Sequence, residues 1–270
     1  MTNTAADLEP VDQLMMAAYL APSRRDELGL YLKAQPDGWF VIEDGGDIVA
    51  AGGALAYGAF CWLGLIATDP ARRRQGLATK LSSHLIEWAH QRGCATIALD
   101  ASDAGRPVYE RLGFHALGHT RELVVPASIA GGGHTDAVAL TADDLDEILG
   151  LDAPVFGGDR GALLRALASD GVPCYGTYDG ARLAGYLFAG KRQLGPGCAA
   201  DAATARALVR AASQDGRGRR ILVPVESSHL DPLLGLGLHE LWRLTHMRLG
   251  ELVLPGERSR LIAQASYAAG

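Results

Sequence analysis

The apolar positions of this chain change period along its length, and the changes mark its elements. Over residues 7–20, Leu8, Val11, Leu14, Met15 and Ala18 recur at helical spacing, which predicts an amphipathic helix. Residues 26–34 predict a second, short helix that ends near Gln35-Pro36, since the residue before a proline is steered away from helical backbone. Trp39-Phe40-Val41-Ile42 reads as a strand and residues 48–55 as its partner. Between them Asp44-Gly45-Gly46-Asp47 is a tight turn whose glycines supply positive φ. Gly52-Gly53 in the partner strand mark a bulge or a close backbone approach. Residues 60–68 form the next strand. Residues 79–92 form a helix with Leu81, Leu85, Ile86 and Ala89 on its apolar face and Gly93 at its end. A buried strand over 94–99, a short helix over 104–112, a sharp turn at Gly113-Phe114 and a strand over 119–125 complete the series.

Residues 126–136, PASIAGGGHTD, are rich in small residues and read as a linker. The same order then returns. Helices are predicted over 143–149 and 161–169, and a hairpin over 174–178 and 182–189 about Asp179-Gly180. A strand over 193–198, a helix over 204–212, a strand over 220–225, a short helix from Asp231, a turn at Gly237-Leu238 and a strand over 240–249 follow. Gly113-Phe114-His115 matches Gly237-Leu238-His239, and Pro107 matches Pro232 within one residue. The chain therefore reads as an internal repeat, with domains at 1–126 and 137–270 joined by a linker at 127–136.

Composition narrows the class. The 270 residues are 48% hydrophobic and 21% charged, which suits a globular protein with ample core. A net charge of -6 argues against a nucleic-acid binder, since such domains are usually basic. Cys61, Cys94, Cys174 and Cys198 are widely spaced, so free thiols in a reducing compartment are expected rather than disulfides or a metal site. The first residues, MTNTAADLEP, have no basic or apolar leader pattern, and no apolar run approaches about 18 residues. A cytoplasmic protein with no membrane partner is the expectation.

The densest chemistry lies in Leu63–Leu81, LGLIATDPARRRQGLATKL. An apolar strand breaks at Asp69-Pro70, passes through Arg72-Arg73-Arg74-Gln75-Gly76 and becomes a helix. A helix start presents unbonded N–H groups and the positive end of its dipole, so a basic, glycine-containing loop at that point is an anion-binding device. In an acidic chain such a local cluster suits a phosphate group better than a polyanion track. The plain alternative is a solvated run of arginines.

These residues carry a resemblance. Ile66-Ala67-Thr68-Asp69-Pro70, the Arg-x-x-Gly-x-Ala pattern at Arg73, Gly76 and Ala78, and Tyr109-Glu110-Arg111-Leu112-Gly113-Phe114 stand in the order and about the spacing of the GNAT superfamily of N-acyltransferases. The resemblance is clear over residues 7–125, and the second half looks like a divergent copy. Val155-Phe156-Gly157-Gly158-Asp159-Arg160 and Leu194-Gly195-Pro196-Gly197 are similar to features of the C-terminal domain of tandem members. The resemblance implies an α/β fold of α+β type: two tandem GNAT-like domains, each a mixed, mostly antiparallel sheet flanked by helices. It also implies acetyl-CoA as acyl donor and no metal. Arg73, Arg74, Gln75, Gly76, Leu77, Ala78 and Thr79 are expected around the pyrophosphate, and the backbone of Ile66, Ala67 and Thr68 along the pantetheine arm. Ile66 is expected to polarise the carbonyl.

Transfer from a thioester to an amine needs a proton donor for the departing thiolate. The resemblance assigns that role to Tyr109, whose phenol, with an unperturbed pKa of about 10, is protonated at neutral pH. Asp100 stands where some relatives carry a Glu and is the candidate base or cation contact, with a helix-capping role as the alternative. Asp103 is read as a helix N-cap. The second half has no counterpart of the arginine loop, and counting four residues back from Gly237 gives Leu233 in place of Tyr109. It is expected to be degenerate and not to bind CoA. Glu226, Ser227 and Ser228 are weaker candidates for substrate contact. The expected function is direct transfer of an acetyl group to a small-molecule or peptide amine, by a monomer or homodimer. The competing class is a CoA-binding regulatory or scaffold protein without turnover.

Overall fold

Two helices open the chain, α1 (Leu8–Tyr19) and α2 (Arg25–Ala34). The computed structural model describes residues 7–127, 129 and 135–270. The apolar stripe of α1 is buried through Val11, Leu14 and Met15, and that of α2 through Leu28 and Tyr31. Buried Asp12 ties the two together by accepting from Ser23 Oγ and the Arg24 N–H, both at 2.6 Å. Strands β1 (Trp39–Asp44), β2 (Asp47–Ala56) and β3 (Phe60–Thr68) are successive antiparallel neighbours. Helix α3 (Leu77–Gln91) then returns the chain to β4 (Thr96–Ala101), which runs parallel to β3. A short α4 (Arg106–Arg111) precedes β5 (His115–Val125).

Side chains alternate across a strand. On β3, Cys61 and Leu63 join Leu81, Leu85 and Trp88 of α3, with Phe40, Ile97 and Leu99, in one buried cluster. The intervening positions Phe60, Trp62 and Gly64 therefore face the other side of the sheet, where α1 packs on β2 and β3.

The second series repeats the first. After a short β6 (Val138–Leu140) come α5 (Leu145–Phe156), α6 (Gly161–Ser169), the antiparallel strands β7 (Cys174–Asp179), β8 (Arg182–Ala189) and β9 (Gln193–Ala199), α7 (Ala202–Ala212), β10 (Arg219–Val223) parallel to β9, α8 (Leu230–Leu234) and β11 (His239–Leu249). The match reaches single hydrogen bonds. The Phe114 N–H donates to Tyr109 O at 3.0 Å, and the Leu238 N–H donates to Leu233 O at 3.3 Å. Gly113 and Gly237 both hold positive φ, 90° and 101°, which is why each turn needs a glycine.

The chain forms two compact units, each of mixed, mostly antiparallel strands flanked by helices. These units are not contiguous stretches, unlike the 1–126 and 137–270 reading. The first runs to Leu117 and takes in Met247–Leu252 and Tyr267–Ala269; the second comprises Gly118–His246, Val253–Ser266 and Gly270. The chain thus changes unit within β5 and again within β11. In the first unit the Met247–Leu249 end of β11 extends the order β1-β2-β3-β4, and Met247 is fully buried in the α3 cluster. In the second, β5 pairs antiparallel with β10, from Arg121↔Val223 to Val125↔Arg219.

Several boundaries differ from the sequence reading. The α3 helix starts at Leu77, before residue 79, because Gly76 at φ 78° can turn the chain straight into it. Strands β5 and β11 start at the histidines after the turn glycines. Asp103 is not a cap: α4 has Gly105 at its N-cap position, and Ser102 Oγ accepts from the Gly105 N–H. Strands β6 and β12 (Leu261–Ala263) were not expected. Of the predicted linker, residues 128 and 130–134 lie outside the described residues.

Candidate active site

The site grows from a parting of strands in the first unit. Pairing of β3 with β4 runs from Phe60↔Thr96 to Trp62↔Ala98, while β3 continues to Thr68 and β4 to Ala101. On its other edge, β3 stays paired with β2 but slips register. Gly64 faces Gly53 and Ala67 faces Ala51, so Leu65 and Ile66 stand opposite Gly52 alone. This is a β-bulge, and Leu65 holds the left-handed backbone it requires, at φ 54°. A Cβ on Gly52 would lie 2.5 Å from Ile66 Cδ1 and 3.2 Å from Ile66 Cα, so the Ile66 side chain would have to swing aside.

Beyond Thr68 the chain makes a capped turn, with Asp69 Oδ1 accepting from the Ala71 N–H at 2.9 Å. The three arginines then take different tasks. Arg72 pairs with Asp44 of the β1–β2 turn at 2.8 Å, and Arg73 donates to the Ala18 carbonyl at the end of α1 at 2.9 Å. Arg74, at φ 64°, is exposed and has no partner among the described residues. Gly76 supplies no side-chain cap, so the first amides of α3, at Leu77, Ala78 and Thr79, are left for another acceptor. Gln75 and Gly76 are exposed beside them.

Tyr109 of α4 is half-buried and meets Phe114 edge-on, at 5.7 Å between ring centroids. Burial pushes its phenol up to about 12, and the neighbouring Ser82 hydroxyl offsets part of that without reaching hydrogen-bonding geometry. Ile66, Leu77 and Tyr109 each pack against the buried cluster beneath α3. Asp100 is half-buried near the end of β4. Tyr19 was missed in the sequence. Desolvation raises its phenol pKa further than that of Tyr109, and the Tyr109 and Glu27 charges add to the shift while Arg24 opposes it. Arg24 lies over the Tyr19 ring at 5.5 Å and pairs with Glu27 at 2.9 Å. Helical periodicity says only that Tyr19 is off the buried stripe of α1, so no sequence signal marked it.

The equivalent place in the second unit is built differently. Pairing of β9 with β10 stops at Ile221↔Leu194, yet the space beyond is filled. Strand β12 pairs with β9 at Leu261↔Cys198 and Ala263↔Gly197, and the Gln264 N–H donates to Leu222 O of β10 at 2.9 Å. The start of α7 is closed as well. The Asp201 side chain accepts from the Thr204 N–H at 2.8 Å, placing a carboxylate where α3 leaves its amides open. That hydrogen bond holds the Asp201 carboxyl below its usual range. Leu233, fully buried, stands where Tyr109 stands in the first unit.

The profile of the "Acetyltransferase (GNAT) family" matches residues 8–114, and that of an "Acetyltransferase (GNAT) domain" matches residues 148–263. The chain carries the GNAT acetyltransferase fold twice, as two tandem domains. It is 28% identical over 205 residues to the N-acetyltransferase YitH of Bacillus subtilis, itself uncharacterized, covering 72% of each chain. A solved structure from Pyrococcus horikoshii, 23% identical, superposes with a TM-score of 0.90 over 100% of this chain and 95% of its own. A tandem GNAT protein from the clavulanic acid biosynthesis pathway, 15% identical, superposes at 0.63 over 92% and 96%. At these identities the structural likeness establishes the fold.

Proposed function

We propose that the protein is an acetyl-CoA-dependent N-acetyltransferase whose first domain, built on residues 1–126, carries the chemistry by direct transfer in a ternary complex. The uncapped start of α3 beside the open end of β3 carries this reading. The amides of Gly76, Leu77, Ala78 and Thr79, with Arg74 and Gln75, hold the donor's pyrophosphate. Arg73 shapes the loop through its bond to α1. The free edge of Ile66–Thr68 takes the pantetheine arm as a sheet edge takes a strand. The Ile66 N–H, next to the bulge, polarises the thioester carbonyl. The amine attacks that carbon, the C–S bond breaks, and Tyr109 gives its proton to the leaving sulfur. Asp100 draws in the amine and receives its proton. The acceptor is a small-molecule or peptide amine.

We further propose that the second domain is degenerate towards acyl-CoA. Its slot is occupied by β12, its helix start carries a carboxylate, and its proton donor is a leucine. Calorimetric titration with acetyl-CoA is expected to give one equivalent per chain; two equivalents would refute this. Thiol release measured across a panel of amines tests catalysis itself. Binding of acetyl-CoA without acceptor-dependent release from any amine would instead make the protein a CoA-binding regulator.

A further inference from the structure

The stretch after β11 divides between the units, with Val253–Ser266 in the second and Tyr267–Ala269 in the first. Within the second unit, β12 is held from three sides. It pairs with β9 as described, Ser227 Oγ donates to Leu261 O at 2.6 Å, and Gln193 Nε2 donates to Ala265 O at 2.8 Å. Leu261, Ile262 and Ala263 are almost completely buried. The residues that follow, Tyr267–Ala269, belong to the first unit. There Tyr57 Oη donates to Ala269 O at 2.7 Å, and Trp62 Nε1 donates to Tyr267 O at 3.1 Å. Between these bonds Ala268 lies directly on Gly64: a Cβ on that glycine would fall 2.2 Å from Ala268 Cα.

Gly64 immediately precedes Leu65, the left-handed residue of the bulge, and Ile66 comes next. Ala268 therefore backs β3 at the point where the strand leaves regular pairing, on the face opposite α3. A backbone seated on a glycine has no side chain to yield, so displacement there is transmitted to the next peptide units. We propose that Tyr267–Ala269 form a brace within the first unit: they hold the Gly64–Leu65 bulge so that the Ile66 N–H keeps its aim. Ala268 and Gly64 are positioning residues in this arrangement. The brace rests on the reading of Ile66 given above.

The test uses the full chain in two forms. Tyr57→Phe with Trp62→Phe removes these two side-chain hydrogen bonds to the tail without adding an atom to β3. Gly64→Ala pushes the tail off from the opposite side. Both are expected to lower kcat about tenfold, since outright loss of one oxyanion donor costs about 100-fold or more and a misaimed donor loses part of that. The KM for acetyl-CoA should stay within about twofold, because the loop and α3 are untouched. Amide exchange, followed by mass spectrometry, should quicken at Tyr267–Ala269 and at Ile66 but not at Leu261–Ala263. Unchanged kcat with a released tail would overturn the brace, as would a KM rise matching the fall in kcat, which signals general damage to the slot. A tail that stays protected in both forms would overturn it too. If the wild type neither binds acetyl-CoA nor turns over, the functional reading fails. The brace is then judged by exchange at Ile66, and an unchanged rate there rejects it.

Discussion

At the scale of single residues, the spacing of Tyr109 to Gly113-Phe114 was legible as a turn, and the fold keeps it as a hydrogen bond from the Phe114 N–H to the Tyr109 carbonyl; the role of the phenol is our proposal. Asp100 was legible only as a position, and Tyr19 was not legible at all. Tyr109→Phe keeps the ring and its packing on Phe114 and removes the proton. It is expected to lower kcat about 100-fold, at the low end for a general acid, with little change in KM for acetyl-CoA. The pH profile gives a second check. Burial raises the phenol to about 12, so it stays protonated and able to donate well above neutrality. The rate should therefore show no alkaline decline from this group below about pH 11. The sign for stability follows from the same shift. A raised pKa means that the folded state holds the proton more tightly, so this stabilisation is complete below about pH 10 and lost as pH rises towards 12. Thermal melting of wild type and Tyr109→Phe across pH 9 to 12 is expected to diverge in that direction.

At the scale of elements, the two helices that follow the parting strands show how one motif can keep its shape and change its electrostatics. Helix α3 begins behind a glycine with its amides open, whereas α7 begins behind Asp201, which bonds the Thr204 N–H. The sequence showed that the arginine loop was missing from the second repeat. It did not show how the first loop divides its charges, because partners such as Asp44 and the Ala18 carbonyl are distant in sequence and meet only in the fold. That division predicts unequal substitutions. Arg74→Ala is expected to raise the KM for acetyl-CoA about fivefold to tenfold, the size of one charge-assisted phosphate contact, and to weaken its dependence on salt. Arg72→Ala removes an exposed pair with Asp44 and should change KM less than twofold, in line with the small value of such pairs. Equal effects from the two would mean that the loop acts as a diffuse charge. Strand β12 escaped the sequence because a run of only Leu261-Ile262-Ala263 beyond Pro255-Gly256 carries no period to read. Its place depends on what β9 and β10 leave vacant.

At the scale of the whole molecule, the repeat was legible and the division of β5 and β11 between the units was not, for one physical reason. Periodicity reports where strands are; pairing partners are decided by edges that become available only on folding. Because β5 and β11 each change unit partway, and Tyr267–Ala269 return to the first unit, neither unit is a complete stretch of chain. Each unit is assembled from separated stretches of one chain, so unfolding should be a single cooperative event. The buried network of the second unit offers a lever. Arg160 donates to both carboxylate oxygens of Asp152, at 2.9 and 2.8 Å, and Tyr186 Oη donates to Asp152 Oδ1 at 2.5 Å. Arg160 and Asp152 side chains are 0% and 2% exposed. Asp152→Ala leaves a buried guanidinium without its counter-charge, a loss of about 3–5 kcal/mol where such pairs have been broken. The expected outcome is a lower melting temperature with one transition, followed equally by amide exchange in the first unit at β3 and in the second at β9. Acetyl-CoA affinity at a temperature where the variant is folded should match the wild type, since Asp152 lies in the second unit and the donor's contacts in the first. Two separate transitions, with β3 protected after β9 has opened, would show instead that the first unit stands without the strand residues it receives from the end of the chain.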